Sequence, residues 1–350
     1  MYCSECGMPK GVGKANTWMS SGAIVSKYEA GLRGIFCDVE CLNSLFSSLS
    51  GRIGYDVTRL VIEGKRKDSK HYTRGLLRSI QESGATLPGP EEFFQIMAAN
   101  YSIPGFGRVN IVSYREGEGI VLEMEDTYSV SMAQGQAAGV FEAVLNCRGD
   151  VAWEGDARRG RVTVTAREGE PELERRIESE VEHAVPLSES GDRKYELCSR
   201  CHIPLELSRE FVWDAEKALI IERRSGRRFI FDNTRGIVAV MRVLVDELGE
   251  DVEQTLVEIS RADTHEYYRG LKDASSCEEE FLRLSLWGWG YPTGLREQGG
   301  GYMLQVINPF YDPIMVGRVW GLVESLSGKI LDLTTRDFSG GISYLGFSPA

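Results

Sequence analysis

The amino-acid sequence points to an α+β protein made of two copies of one unit. Each copy reads as a small cysteine-bearing head followed by an antiparallel sheet packed with helices. Three observations lead there. The first is a self-match: shifted by 195 positions, Cys3 falls on Cys198, Cys6 on Cys201, Trp18 on Trp213, Arg33 on Arg228 and Phe36 on Phe231. The match runs on without a gap through Asp56/Asp251, Asp68/Asp263 and Gly75/Gly270. Roughly 20 of about 74 positions are identical, including rare types such as Cys and Trp, which marks an internal duplication. The second is a change of period within each half, from helical spacing to strand alternation. The third is the pairing of cysteines, as Cys3-x-x-Cys6 and Cys37-x-x-x-Cys41.

The 350-residue chain exceeds one ordinary domain, and its composition is that of a globular protein. No run of about 18 apolar residues occurs, so no membrane span is expected, and the start shows no secretory leader. A cytoplasmic protein is therefore expected, in which cysteines serve as thiols or metal ligands rather than disulfides. Forty basic against 52 acidic side chains give a net charge of −12, which disfavours nucleic acid and anionic membranes as partners. The layout reads as a head over 1–52, a body over 53–166, a charged linker over 167–195, a second head over 196–247 and a second body over 248–350. Two such halves suggest a pseudo-two-fold monomer, or a homodimer joined into one chain.

Each element has its own signal. Trp18, Gly22-Ala-Ile-Val-Ser and Gly31-Leu-Arg-Gly-Ile-Phe read as a hairpin between the two cysteine pairs. Apolar residues at three- and four-residue spacing over Asp56–Ile62 and from His71 predict helix. The Pro-Gly-Pro break at 88–90 precedes a helix carrying Phe93 and Phe94. Strands are expected at 109–114 and 120–125 around a glycine-rich turn, then a helix over about 129–146 and a hairpin ending near Thr165. The second half repeats this, with strands at Leu295 and Tyr302–Ile307, a helix over 313–327 and strands ending near Phe347.

Four thiolates arriving as two short pairs suit a closed tetrahedral zinc site, so Cys3, Cys6, Cys37 and Cys41 are the expected ligands of one structural Zn2+ per chain. The knuckle and the helix-start pair over residues 1–50 resemble treble-clef fingers of the TRASH and FCS type. In the second copy Asp232 and Gly236 stand where Cys37 and Cys41 would be. That head is expected to be metal-free, held by Trp213, Leu219, Ile221 and Phe231; otherwise Asp232, His202 or a distant cysteine completes a site around Cys198 and Cys201.

The Gly135-Gln-Ala-Ala-Gly139 helix with its two following strands, Tyr72-x-Arg74-Gly75-Leu76, and Gly317-Arg-Val-Trp-Gly321 resemble the vinyl-4-reductase (4VR) domain. The resemblance covers roughly 53–166 and 248–348. It implies a fold similar to TRAPP subunits and to the small-molecule sensor domains of bacterial regulators. Only Cys147 stands near the position of the sensor members' metal cysteines, so that site is not carried over. The aromatics Trp287, Trp289, Tyr291 and Trp320 make the second half the expected place for an apolar ligand pocket.

Gly11-Val-Gly-Lys14 lacks the rest of a phosphate loop, and His265-Glu-Tyr-Tyr-Arg269 has Arg where a zinc protease needs its second His. No acid–base or nucleophile constellation stands out. The expected function is a non-catalytic sensor or adaptor that binds a small apolar or aromatic molecule, with a protein partner for output. The alternatives are a scaffold subunit, or an accessory factor in tetrapyrrole metabolism.

Overall fold

The computed structural model describes residues 2–29, 31–169, 187–188, 191–214, 216–271 and 276–350. Most of the expected linker, 170–186 and 189–190, lies outside the described residues. The first head comprises α1 (Lys10–Ala15), β1 (Asn16–Trp18), β2 (Ile24–Ser26), β3 (Arg33–Asp38) and α2 (Val39–Ile53). Its body follows as α3 (Thr58–Glu82), α4 (Pro90–Tyr101), β4 (Arg108–Arg115), β5 (Gly119–Glu125), α5 (Val130–Leu145), β6 (Arg148–Gly155) and β7 (Arg159–Arg167). The second head comprises α6 (Leu205–Glu210), β8 (Phe211–Asp214), β9 (Leu219–Glu222), β10 (Arg228–Asn233) and α7 (Thr234–Leu248). Its body is α8 (Asp251–Arg269), α9 (Cys277–Leu286), β11 (Tyr291–Gln298), β12 (Gly301–Ile307), α10 (Asp312–Ser327), β13 (Leu331–Ser339) and β14 (Ile342–Pro349). The same order of elements thus occurs twice.

All strand pairs among the described residues are antiparallel. Each body holds a four-stranded sheet, ordered β4-β5-β7-β6 and β11-β12-β14-β13. The heads do not form separate sheets. β3 pairs with β10 to give one six-stranded sheet, β1-β2-β3-β10-β9-β8, with Phe36 opposite Phe231 and Cys37 opposite Ile230. Phe36 and Phe231 are also matched at the 195-residue shift, so an approximate two-fold axis of this seam passes between them. Their rings lie 4.8 Å apart, and Phe211 stacks on Phe36 at 5.0 Å.

Each head docks on the body of the other half. The Trp18 indole N–H donates to the Leu286 carbonyl at 3.0 Å, and the matched Trp213 donates to Ile103 at 2.8 Å. The Phe36 N–H donates to the Trp287 carbonyl at 2.8 Å, and the Phe231 N–H to Pro104 at 2.9 Å. Arg33 donates to the carbonyls of Gly288, Asn308 and Pro309, while Arg228 donates to Gly105 and Thr127. Burial without a carboxylate partner brings the Arg33 guanidinium down to about 10. Left without these acceptors, each buried donor would cost about 1–3 kcal/mol.

Local sequence fixes the helix starts. Asp38 caps α2 by accepting from the N–H groups of Glu40 and Cys41, and Asn233 caps α7 by accepting from Gly236. In the bodies, the glycines spaced four apart serve helix packing. A Cβ on Gly135 or Gly139 of α5 would strike the backbone carbonyls of Ile62 or Arg66 in α3. On Gly317 or Gly321 of α10 it would strike those of Val257 or Arg261 in α8. One turn on, Glu142 and Glu324 are buried and accept from the N–H that opens the next strand, Gly149 at 3.2 Å and Leu331 at 2.7 Å. Arg66 and Arg261 supply the countercharge.

This packing gives a direct test. Gly139→Ala and Gly321→Ala should each lower stability by about 1–3 kcal/mol, because the helix pairs must separate. Gly75→Ala, where an added Cβ meets nothing within 4 Å, should raise it by about 0.5–1 kcal/mol. Chemical denaturation of the three variants measures both signs; equal stability at Gly75 and Gly139 would contradict the helix contact.

Candidate metal centre and cleft

Each head opens with a knuckle whose backbone is dictated by spacing. The Cys3 N–H donates to the Met8 carbonyl and the Gly7 N–H to Cys3, while Gly7 takes φ +74°. In the second knuckle the Cys198 N–H donates to Ile203, His202 donates to Cys198, and His202 itself sits at φ +60°. Isolated bridges, Tyr2 with Pro9 and Leu197 with Pro204, close the two loops. Each loop presents its two sulfurs on one side.

The two knuckles face each other. Cys3 Sγ lies 3.7 Å from Cys198 Sγ, and Cys6 Sγ lies 3.4 Å from Cys201 Sγ. All four sulfurs fall within 4.8 Å of one another, so Cys3, Cys6, Cys198 and Cys201 could hold a metal ion. The edge of a tetrahedron with metal–sulfur bonds of about 2.3 Å is about 3.8 Å, close to these separations. Backbone N–H groups of Cys6 and Glu5 pull the Cys3 thiol down to about 6, while burial pushes Cys6 and Cys201 up. Ser199 bonds across to Glu5 through its hydroxyl at 2.7 Å and its N–H at 3.3 Å, which fixes one knuckle on the other.

The ligand set therefore differs from the expected one. Cys3 and Cys6 are in the cluster; Cys37 and Cys41 are not. Cys37 lies in the β3–β10 seam, fully buried, and its thiol donates to the Asp38 carbonyl. Cys41, in the first turn of α2, donates to Asp263 and accepts from Arg318 at 3.3 Å. Burial pushes Cys41 up to about 12 and Cys37 well above its ordinary value, as it also raises Cys6 and Cys201, so what separates the two sets is the sulfur geometry. The second head, expected to lack metal, supplies half of the cluster. Asp232 pairs instead with Lys65 at 3.0 Å, and His202 forms the exposed turn of its knuckle. One sequence signal could have shown this. Both heads keep the first cysteine pair and only one keeps the second, as a pair shared across the axis requires.

Of the four aromatics expected to line a pocket in the second half, the three tryptophans are buried in the core and Tyr291 is half-buried. Trp287 and Trp289 are 2% and 1% exposed, and Trp320 is buried. Each indole N–H is used: Trp287 to Glu210, Trp289 to the Phe36 carbonyl and Trp320 to Leu331. The Arg318 guanidinium lies 3.9 Å over the Trp289 ring, and Tyr291 bonds to Asp192. A buried indole whose N–H is already bonded offers little surface or hydrogen-bonding capacity to a ligand.

A cleft of about 1200 Å³ lies in the first half instead. Tyr72, Leu76 and Ile80 of α3 line one side, with Phe93 and Met97 of α4 opposite. Val109, Leu122 and Met124 of the sheet and Val140 of α5 add further apolar wall. Val12 and Ala15 of α1 and Phe231 and Asp232 of β10 line it from the heads. Its polar lining includes the buried set Lys65, Asp68 and Asp232, with Lys65 3.4 Å from Asp68; Arg235, 3.2 Å from Asp68, stands behind the lining. Burial works against the Lys65 charge, yet Asp232 and Asp68 hold it above the ordinary lysine value.

No helix among the described residues is long and apolar enough to cross a membrane. No family model, curated protein or solved structure matches the chain.

The cysteine geometry separates two ligand sets in one measurement. Purified Cys198→Ser/Cys201→Ser protein should lose its bound metal by elemental analysis, whereas Cys37→Ser/Cys41→Ser should keep about one equivalent. Metal loss in the second variant alone would contradict the cluster.

Proposed function

We propose that this is a non-catalytic small-molecule-binding protein of sensor or adaptor type, built from two copies of one ancestral unit and stapled by a structural zinc ion. The cleft carries this reading. It is largely apolar with a few buried polar groups, as small-molecule sites are. The bodies read as tandem 4-vinyl-reductase-like domains, and the cleft of the first accepts an apolar or aromatic molecule. The tightly packed second body serves as the rigid mate on which the first head rests.

Zinc fits the four donors by their chemistry. Four sulfur ligands at tetrahedral spacing favour zinc over the hard cations, which prefer oxygen. A closed set of four leaves no open position for water, so the ion contributes to folding and not to catalysis. One ion per chain follows from one shared cluster. Output would pass to a protein partner.

Titration with the neutral apolar dye Nile red tests the cleft. The zinc-loaded protein should bind the dye, and Leu76→Trp, which enlarges a lining side chain to an indole, should weaken binding about tenfold or more, equivalent to about 1.4 kcal/mol. Unchanged binding in this variant would contradict the cleft as the site.

A further inference from the structure

We infer that the four-thiolate centre controls the cleft through helix α1, so that metal occupancy and ligand binding are coupled. The inference rests on the cleft being the ligand site and adds how that site is governed. Helix α1 starts at Lys10, directly after the first knuckle, so metal held by Cys3 and Cys6 sets where the helix begins. One of its faces lies on the second knuckle. Gly13 is buried, and a Cβ there would strike the Cys201 carbonyl and the Ile203 side chain. Three of its other residues, Gly11, Val12 and Ala15, line the cleft. This six-residue helix thus lies between the ligand Cys201 and the site, with only its own thickness between them.

A second connection runs in parallel. Phe231 and Asp232 line the cleft from β10, the strand that pairs with β3 at the seam between the heads. The heads also meet at the knuckles, through the sulfurs and the Glu5–Ser199 bonds, and through the Arg227–Asp38 and Arg235–Glu29 ion pairs. With metal bound, the heads are held at one spacing and the cleft wall made of α1 and β10 is fixed. Without it, four buried or part-buried thiols face one another with no ion to join them, and the wall formed by α1 loses its anchor. A ligand that binds the formed wall must then raise metal affinity by the same factor that metal raises ligand affinity.

The test compares Nile red affinity in zinc-loaded protein, in protein stripped by a chelator under reducing conditions, and in protein reloaded with one equivalent of zinc. Stripping should weaken dye binding about tenfold and reloading should restore it; saturating dye should tighten zinc binding by an equal factor. Far-UV circular dichroism checks that the stripped protein keeps its secondary structure. If it does not, Gly13→Ala decides. That variant keeps all four thiols, and is expected to keep its zinc while losing dye affinity about tenfold, because α1 is pushed off the second knuckle. Equal dye affinity with and without zinc, or in zinc-loaded Gly13→Ala, overturns the coupling while leaving the cleft intact. If Leu76→Trp also fails to weaken the dye in zinc-loaded protein, the cleft reading falls, and the coupling falls with it.

Discussion

The pairing of β3 with β10 is the constraint on which the rest of this structure depends. It joins two heads, about 195 positions apart in the chain, into one sheet and brings equivalent residues face to face. Phe36 meets Phe231 in the seam, and the knuckles meet beyond it. From that pairing the crosswise docking follows. A head that shares its sheet with its twin rests on the opposite body, and the matched donors Trp18/Trp213 and Arg33/Arg228 fasten it there. Long-range pairings of this kind carry a high loop-closure cost. A metal ion held by the four cysteines at the same interface would offset part of it, because metal binding free energy becomes folding free energy.

The bodies show how similar frameworks can differ in what they enclose. In both, glycines spaced four apart let α5 meet α3 and α10 meet α8, and a buried glutamate opens the following strand. In the second, Trp289 and the Arg318 guanidinium lie against each other beneath the first head. In the first, Phe106 stacks on Tyr128 in the corresponding turn and lines an open cleft. The buried charges differ as well. Asp68 has Lys65 and Arg235 beside it, whereas Asp263 accepts from Ser44 and Cys41. Buried charges left unpaired are costly, so these sets hold their helices in one arrangement.

Much of the fold was legible in the sequence because local signals carried it. The hairpin of β2 and β3, the Pro90 helix start, the strand pair around Gly117 and the helix over 130–145 follow from turn chemistry and periodicity. The cysteine cluster was legible only in part. Cys-x-x-Cys spacing identifies a knuckle, but nothing local says which second pair completes it. Cys37 and Cys41 are correctly spaced for metal, yet the strand that carries Cys37 is consumed by the seam, and Cys41 faces Arg318. The four aromatics were legible as apolar residues. That Trp287 and Trp289 would spend their indole N–H groups on a carboxylate and a carbonyl from distant elements, and Trp320 on the carbonyl that opens the next strand, was not. The cleft has walls from five helices and strands of one body and from both heads, so no single stretch of sequence announces it.

The central claim is that one metal ion sits between the two heads, and diffraction from crystals of the purified protein at the zinc absorption edge tests it most directly. A single anomalous peak about 2.3 Å from each of Cys3, Cys6, Cys198 and Cys201 is expected. A peak beside Cys37 and Cys41, or separate peaks at the two knuckles, would contradict it.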